Sequence, residues 1–96
     1  MKKEKEIAGI IAEQLGVNEA KVFSSKNLID ELGADSADMV NIFDAIEKIE
    51  KIEIKEIWTP LMINLKSIIN VVNLIKKGQE AELERLLGEI SETEKR

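Results

Sequence analysis

At residues 31–38 the chain reads Glu-Leu-Gly-Ala-Asp-Ser-Ala-Asp, which places one serine between two aspartates just after a Leu-Gly turn. A long amphipathic stretch follows, so Ser36 stands at a predicted helix start. The sequence contains no histidine and no cysteine, so Ser36 lacks the usual neutral-pH base that turns a hydroxyl into a nucleophile. We therefore interpret Ser36 as a residue that is modified, and we expect a protein that is not an enzyme.

The size and composition favour one small cytoplasmic domain. The 96 residues suffice for a single core, and the lack of Cys and His excludes disulfides, zinc sites and thiol chemistry. We see no basic-then-apolar leader at the start of the chain. The most apolar segment, residues 57–75, is interrupted by Pro60 and several polar residues, so we expect no membrane insertion.

The negative charge is concentrated in the middle of the chain. The net charge is −5, and residues 31–60 contain 8 acidic and 3 basic residues, whereas the segments on either side are balanced. This distribution disfavours nucleic acid, which requires a basic surface. It favours docking to basic patches on partner proteins, with a merely solubilising acidic surface as the alternative.

The spacing of apolar residues predicts helices in the first half of the chain, separated by one long loop. Residues 3–15 form a helix that ends at Gly16, and residues 17–35 form a packed loop. Residues 36–51 form the clearest helix, capped by Asp35 or Ser36. The expected inward side chains are Ile7, Ile10, Ile11 and Leu15 in the first helix, and Met39, Val40, Phe43, Ile46 and Ile49 in the second.

The second half also reads as helix. A short element is expected to begin with Thr59 as its cap and Pro60 as its first helical residue. Asn64 is expected to cap the next helix, and Gly78 to end it. The expected inward residues of that helix are Leu65, Ile68, Ile69, Val72 and Ile75. A last helix over residues 79–90 is expected to carry an apolar stripe of Leu83, Leu86, Leu87 and Ile90. The tail from Ser91 is expected to be disordered. The predicted fold class is all-α, a small antiparallel bundle.

The acidic residues near Ser36 do not form a recognisable catalytic or metal site. Glu31, Asp35 and Asp38 are expected to be solvated, so their pKa values should not be raised as a general acid requires. Their spacing does not match a calcium loop, which needs acids at alternate positions around a glycine. We therefore expect no catalytic residues and no metal ligands.

The residues around Ser36 resemble the acyl carrier protein family. The resemblance extends over roughly residues 3–77 without an insertion, and the Gly-Ala-Asp-Ser run is the signature of that family. The matching segments are Gln14-Leu15-Gly16-Val17, Leu28, Asp30-Glu31-Leu32-Gly33-Ala34-Asp35-Ser36, Asp38, Val40, Ala45-Ile46-Glu47 and Glu53-Ile54.

The resemblance implies a four-helix bundle with a short third helix in a carrier domain over residues 1–78, followed by a helical extension and charged tail over residues 79–96. It implies that Ser36 receives 4′-phosphopantetheine from coenzyme A through a phosphopantetheinyl transferase, and that the arm holds acyl groups as thioesters. The pathway would be fatty acid biosynthesis or a specialised acyl or polyketide pathway. A peptidyl or D-alanyl carrier, or an unmodified helical adaptor that docks through its acidic face, remain the alternatives.

The resemblance also assigns roles to individual residues of what we expect to be a monomer. Asp35 and Asp38 would flank the attached cofactor. The transferase and the acyl-processing enzymes would dock through basic patches of their own. The docking surface on this chain would comprise Asp35, Ala37, Asp38, Asn41, Asp44, Glu47 and Lys48. An acyl chain would be sheltered by Val40, Phe43, Ile46, Ile54, Leu61 and Ile68, although for each of these taken singly a plain core role is the favoured interpretation.

Several positions depart from the family pattern. Ala37 stands where a leucine is usual, and Asn41 and Lys48 replace residues that are commonly acidic. Asp44 replaces an apolar contact residue, and Glu50 replaces a bulky apolar residue whose packing Ile49 is expected to take over. These differences favour service in a dedicated pathway over bulk fatty acid synthesis, with neutral surface drift as the alternative.

Overall fold

The computed structural model describes residues 2–94, and this part of the chain folds into six α-helices and one 3₁₀ helix, without a strand. The predicted all-α class is thereby confirmed. The helices are α1 (Lys2–Leu15), α2 (Glu19–Ser24), α3 (Leu28–Leu32), α4 (Ser36–Glu50), the 3₁₀ helix (Glu56–Leu61), α5 (Leu65–Lys76) and α6 (Glu80–Glu94).

One hydrophobic core joins these helices. Helix α1 packs against α2, α4 and α5, while α6 packs against α5 and the 3₁₀ helix. Every helix contributes at least one buried apolar side chain. The largest fully buried side chains are Ile7, Ile11, Val22, Leu28, Ile42, Ile46, Trp58, Met62, Ile68, Val71, Val72 and Leu83. Since burial of apolar surface is the main driving force for folding, the long helices are held by this core more than by their own propensity.

The prediction of a loop over residues 17–35 is wrong in one respect, because this segment contains the short helices α2 and α3. Asn18 caps α2 by accepting a hydrogen bond from the Lys21 amide, and Asn27 caps α3 by accepting from the amides of Ile29 and Asp30. Asparagine is among the best N-cap residues, so the sequence contained this signal. Helices of 6 and 5 residues are too short to show a hydrophobic period.

The inward face of α4 differs from the predicted one. Met39, Ile42 and Ile46 are buried and Phe43 is partly buried, whereas Val40 and Ile49 are 55% and 49% exposed. The prediction was therefore wrong for Val40 and Ile49, and it missed Ile42. Apolar residues occupy more than one face of this helix, so its packing partners determine which face is buried.

Glu50 at the end of α4 is held by lysines from two other helices. Its side chain is only 6% exposed, and its Oε1 lies 3.0 Å from Lys76 Nζ of α5 and 3.7 Å from Lys3 Nζ of α1. Lys3 Nζ also donates to Asn73 Oδ1 at 3.3 Å. Glu50 therefore takes part in an ionic cluster, at the position whose apolar packing we expected Ile49 to take over.

The element around Pro60 begins earlier than expected. The 3₁₀ helix starts at Glu56 after Lys55, so Thr59 is not its cap and Pro60 lies inside it. Thr59 Oγ1 instead donates to the Glu56 carbonyl at 2.8 Å. Trp58 of this helix is fully buried.

The last two helices follow the prediction at their junction but not at the C-terminus. Asn64 caps α5 as predicted, in a reciprocal box with Ser67, and Gly78 adopts a φ of 71° that favours glycine. Helix α6 continues to Glu94, so residues 91–94 are helical instead of disordered. The predicted disorder of Lys95 and Arg96 lies outside the described residues.

The longest helices of the described chain have 14 or 15 residues. None of the helices within residues 2–94 has both the length and the apolar composition that a membrane crossing requires.

Candidate functional site

Ser36 is an exposed residue at the very beginning of α4. The preceding turn places it there: α3 ends at Gly33, whose φ is 71°, and the Ala34 amide donates to the Leu28 carbonyl at 3.1 Å. Ala34 is buried, so the turn is anchored in the core. The chain is further tied to the start of α5, because the Leu28 amide donates to the Ile63 carbonyl at 2.8 Å.

The cap of α4 is Asp35, which resolves the choice that the sequence left open. The Asp38 amide donates to Asp35 Oδ1 at 2.8 Å, and the Asp35 amide donates to Asp38 Oδ2 at 3.1 Å. This is a capping box, in which each carboxylate satisfies a backbone amide of the first turn. Among the described residues, none is hydrogen-bonded to Ser36 Oγ, so the hydroxyl is free to react with an external group.

Helix α1 supports the same box. Gln14 Nε2 donates to Asp38 Oδ1 at 3.1 Å, which lowers the pKa of the Asp38 carboxyl, with a further contribution from the Asp35 amide. The pKa of Glu31 is also lowered, because its carboxylate accepts from the Lys26 amide at 2.7 Å and from Ser25 Oγ at 3.1 Å. Carboxylates with lowered pKa values are weak bases, so neither suits proton abstraction from Ser36.

A groove opens beside Ser36 between α4 and the 3₁₀ helix. It has a volume of about 460 Å³. Its floor and walls are mostly apolar, and its lining residues are Ile29, Ser36, Met39, Val40, Phe43, Glu56, Thr59, Pro60, Met62 and Ile63. A group attached to Ser36 would therefore start at the mouth of an apolar groove.

The structure separates the six residues expected to shelter an acyl chain. Val40 and Phe43 line the groove, whereas Ile46 and Ile68 are fully buried in the core, and Ile54 and Leu61 pack partly buried against it. Sequence reasoning did not assign Ile29, Met62 and Ile63 to this region. These residues come from α3 and from the segment before α5, so only the tertiary structure brings them to α4.

The residues expected to face partners lie at the N-cap of α4 and along the helix, in three different environments. Ala37, Asn41, Asp44 and Lys48 are all exposed, and their spacing of three or four residues puts them on one side of the helix. Asp35 and Asp38 form the capping box. Glu47 is partly buried, and its Oε2 accepts from the Ile54 amide at 2.7 Å, so it stabilises the connection after α4.

No model of a known protein family matches the sequence. The functional interpretation therefore depends on the segment around Ser36 and on the geometry that surrounds it.

Proposed function

We propose that this protein is a carrier of the acyl carrier protein type, in which Ser36 is the attachment site for 4′-phosphopantetheine. In this proposal α1, α4 and α5 are the long helices of the carrier bundle, and the 3₁₀ helix is its short third helix. Helix α6 is an extension of that bundle. The acyl groups would belong to fatty acid biosynthesis or to a specialised acyl or polyketide pathway.

The observation that supports this proposal most directly is the free hydroxyl of Ser36 at the start of a helix. The cap is provided by Asp35, so a modification of Ser36 does not remove a helix-stabilising hydrogen bond. The amides of Ser36 and Ala37 precede the first hydrogen bond of α4, in which Met39 donates to the Asp35 carbonyl. Free amides and the positive end of the helix dipole stabilise a phosphodiester anion at this position.

The attachment reaction uses Ser36 Oγ as its acceptor. A bond forms between Oγ and the phosphorus that bears the pantetheine arm, the pyrophosphate bond of coenzyme A breaks, adenosine bisphosphate leaves, and the hydroxyl proton goes to a base of the transferase. The base must come from the transferase, because the nearby carboxylates of this chain are engaged with backbone amides. When bound, the arm supplies the thiol that a chain without cysteine lacks.

The exposed side of α4 supports a role in docking to partner enzymes. Asp44 is exposed beside Ala37, Asn41 and Lys48. The carboxylates of Asp35 and Asp38 lie at the same helix start as Ser36, and negative charge there favours encounter with a basic transferase or acyl-processing enzyme. The substitutions at Ala37, Asn41 and Lys48 change the shape and charge of that side. We therefore propose partners in a dedicated pathway, with the chain acting as a monomer.

The direct test is the intact mass of the protein after incubation with coenzyme A and a promiscuous phosphopantetheinyl transferase. One added phosphopantetheine, mapped to Ser36 and absent from Ser36→Ala, is the expected result. Ser24→Ala is the matched control, since Ser24 is also an exposed serine within a helix, and it should be loaded like the wild type. An unmodified wild-type chain would contradict the proposal and favour the adaptor.

The loaded protein then distinguishes acyl carriers from peptidyl or D-alanyl carriers. Transfer of a malonyl group by a malonyl transferase supports the acyl assignment. Loading of an amino acid by an adenylating enzyme, without malonyl transfer, would instead assign the peptidyl or D-alanyl role.

A further inference from the structure

The 3₁₀ helix that forms one wall of the groove has little support of its own. It contains 6 residues, and its N-cap residue Lys55 makes no side-chain capping hydrogen bond. Pro60 inside it has no amide to donate, and 3₁₀ hydrogen bonds have poorer geometry than those of an α-helix. Its position therefore depends on the elements that pack against it.

Helix α6 is one of the two helices that hold it. The extensive contacts of the 3₁₀ helix are made with α5 and α6. Leu83 of α6 is fully buried in the same core as Trp58. Glu80 Oε1 lies 3.5 Å from Lys55 Nζ, and that Nζ lies 5.3 Å from the centre of the Trp58 ring. The start of α6 thus contacts the 3₁₀ helix at two points, its N-cap residue Lys55 and its buried residue Trp58.

The groove beside Ser36 has walls from two different elements. Met39, Val40 and Phe43 come from α4, and Glu56, Thr59 and Pro60 come from the 3₁₀ helix. None of the lining residues that the structure describes comes from α6. Of the two elements that α6 packs against, α5 and the 3₁₀ helix, only the 3₁₀ helix contributes residues to the groove, so it is the direct route by which α6 can influence the groove.

We propose that α6 is a clamp that positions the 3₁₀ helix and thereby sets the opening of the groove beside Ser36, with Leu83 and Glu80 as its positioning residues. Loosening α6 lets the 3₁₀ helix move away from α4, since α5 is then the one helix left in extensive contact with it. The width of the groove can be measured without any modification of Ser36. The consequence for a group attached to Ser36, which is tighter or looser retention in the groove, rests on the proposed function.

The distance across the groove can be measured directly in the full, unmodified chain. The sequence has no native cysteine, so Val40→Cys and Glu56→Cys introduce the only two sites for spin labels, one on each wall. Both positions are exposed. Pulsed electron spin resonance gives the distribution of distances between the labels, and hydrogen exchange of the Trp58 and Met62 amides, both bonded within this segment, reports local opening.

Five variants distinguish the clamp from a general loss of stability. Glu80→Lys places a second cation beside Lys55, and Glu84→Lys makes the same change at an exposed position one turn later. Leu83→Ala removes a buried side chain of α6, and Ile11→Ala makes a comparable cavity in α1, which is remote from the 3₁₀ helix in its main contacts. Lys55→Glu added to Glu80→Lys restores an opposite-charge pair.

The clamp predicts a longer and broader label distance and faster exchange of both amides in Glu80→Lys and Leu83→Ala, with no change in Glu84→Lys or Ile11→Ala. The charge swap should return both signals toward wild type. Unchanged distances in Glu80→Lys, or equal changes in Leu83→Ala and Ile11→Ala, would overturn the proposal. If Leu83→Ala does not fold, the comparison of Glu80→Lys with Glu84→Lys and the charge swap decides. Since no loading is involved, this outcome is independent of whether Ser36 accepts phosphopantetheine.

Discussion

Asp35→Ala should lower the stability of the fold but still allow modification, whereas Ser36→Ala should leave the stability nearly unchanged and abolish modification. Asp35 accepts the hydrogen bond of the Asp38 amide at 2.8 Å, whereas Ser36 Oγ has no hydrogen-bond partner among the described residues. Asp35→Ala leaves that amide without its acceptor. Loss of an N-cap of this type costs about 1 kcal/mol, within a range of about 0.5–2 kcal/mol.

The same loss can be stated as a melting temperature. For a domain of this size, 1 kcal/mol corresponds to a decrease of about 4–8 °C. Ser36→Ala should stay within about 0.5 kcal/mol of wild type, as surface substitutions without a structural role usually do. Alanine also has a higher helix propensity than serine, so the small change should be towards greater stability.

Urea and thermal unfolding followed by far-ultraviolet circular dichroism measures both values. The same samples, incubated with coenzyme A and a transferase, should show loading of Asp35→Ala and none of Ser36→Ala. The reasoning fails if Ser36→Ala loses as much stability as Asp35→Ala, because the hydroxyl would then be the true cap. It also fails if Ser36→Ala is still modified.

Four further outcomes test the rest of the structure. Leu83→Ala should lower the free energy of unfolding by about 2–5 kcal/mol, as for other buried leucines; an unchanged urea midpoint would show that α6 is not part of the core. The stability that Asp38 contributes should be complete above about pH 4 and decline as the pH falls through its lowered folded-state pKa, and Gln14→Ala should move its NMR titration midpoint upwards. Asp44→Lys should slow transferase loading more at low salt than at high salt, whereas Glu84→Lys on α6 should have little effect; equal losses would indicate a diffuse attraction without a docking face. Wild-type loaded protein should be a poor substrate for the malonyl transferase of a housekeeping pathway. The triple variant Ala37→Leu, Asn41→Glu and Lys48→Glu should raise the rate of malonyl transfer by roughly tenfold, because it restores three exposed contacts of about 0.2–1 kcal/mol each.

The amino-acid sequence alone determined the all-α class and the long helices. Their apolar residues repeat with the helical period over 12 to 15 residues, which is long enough to be read without knowledge of neighbours. Gly16, Gly78 and Asn64 marked helix ends by their own backbone and side-chain properties. The helix start at the serine between two aspartates was likewise visible in the sequence, since helix starts are local features, but only the structure showed that Asp35 is the cap and that Ser36 Oγ is left without a hydrogen bond among the described residues.

Only the tertiary structure decided which side of each helix is buried and which side chains meet. Ile42 is buried and Val40 is exposed, although both are apolar and close in the same helix, because α1 packs against one side of α4 and an open groove lies beside Val40. Glu50 is shielded because lysines from α1 and α5 converge on it. The groove beside Ser36 likewise combines residues 29, 40 and 63, whose proximity depends on contacts between distant segments that no local period encodes.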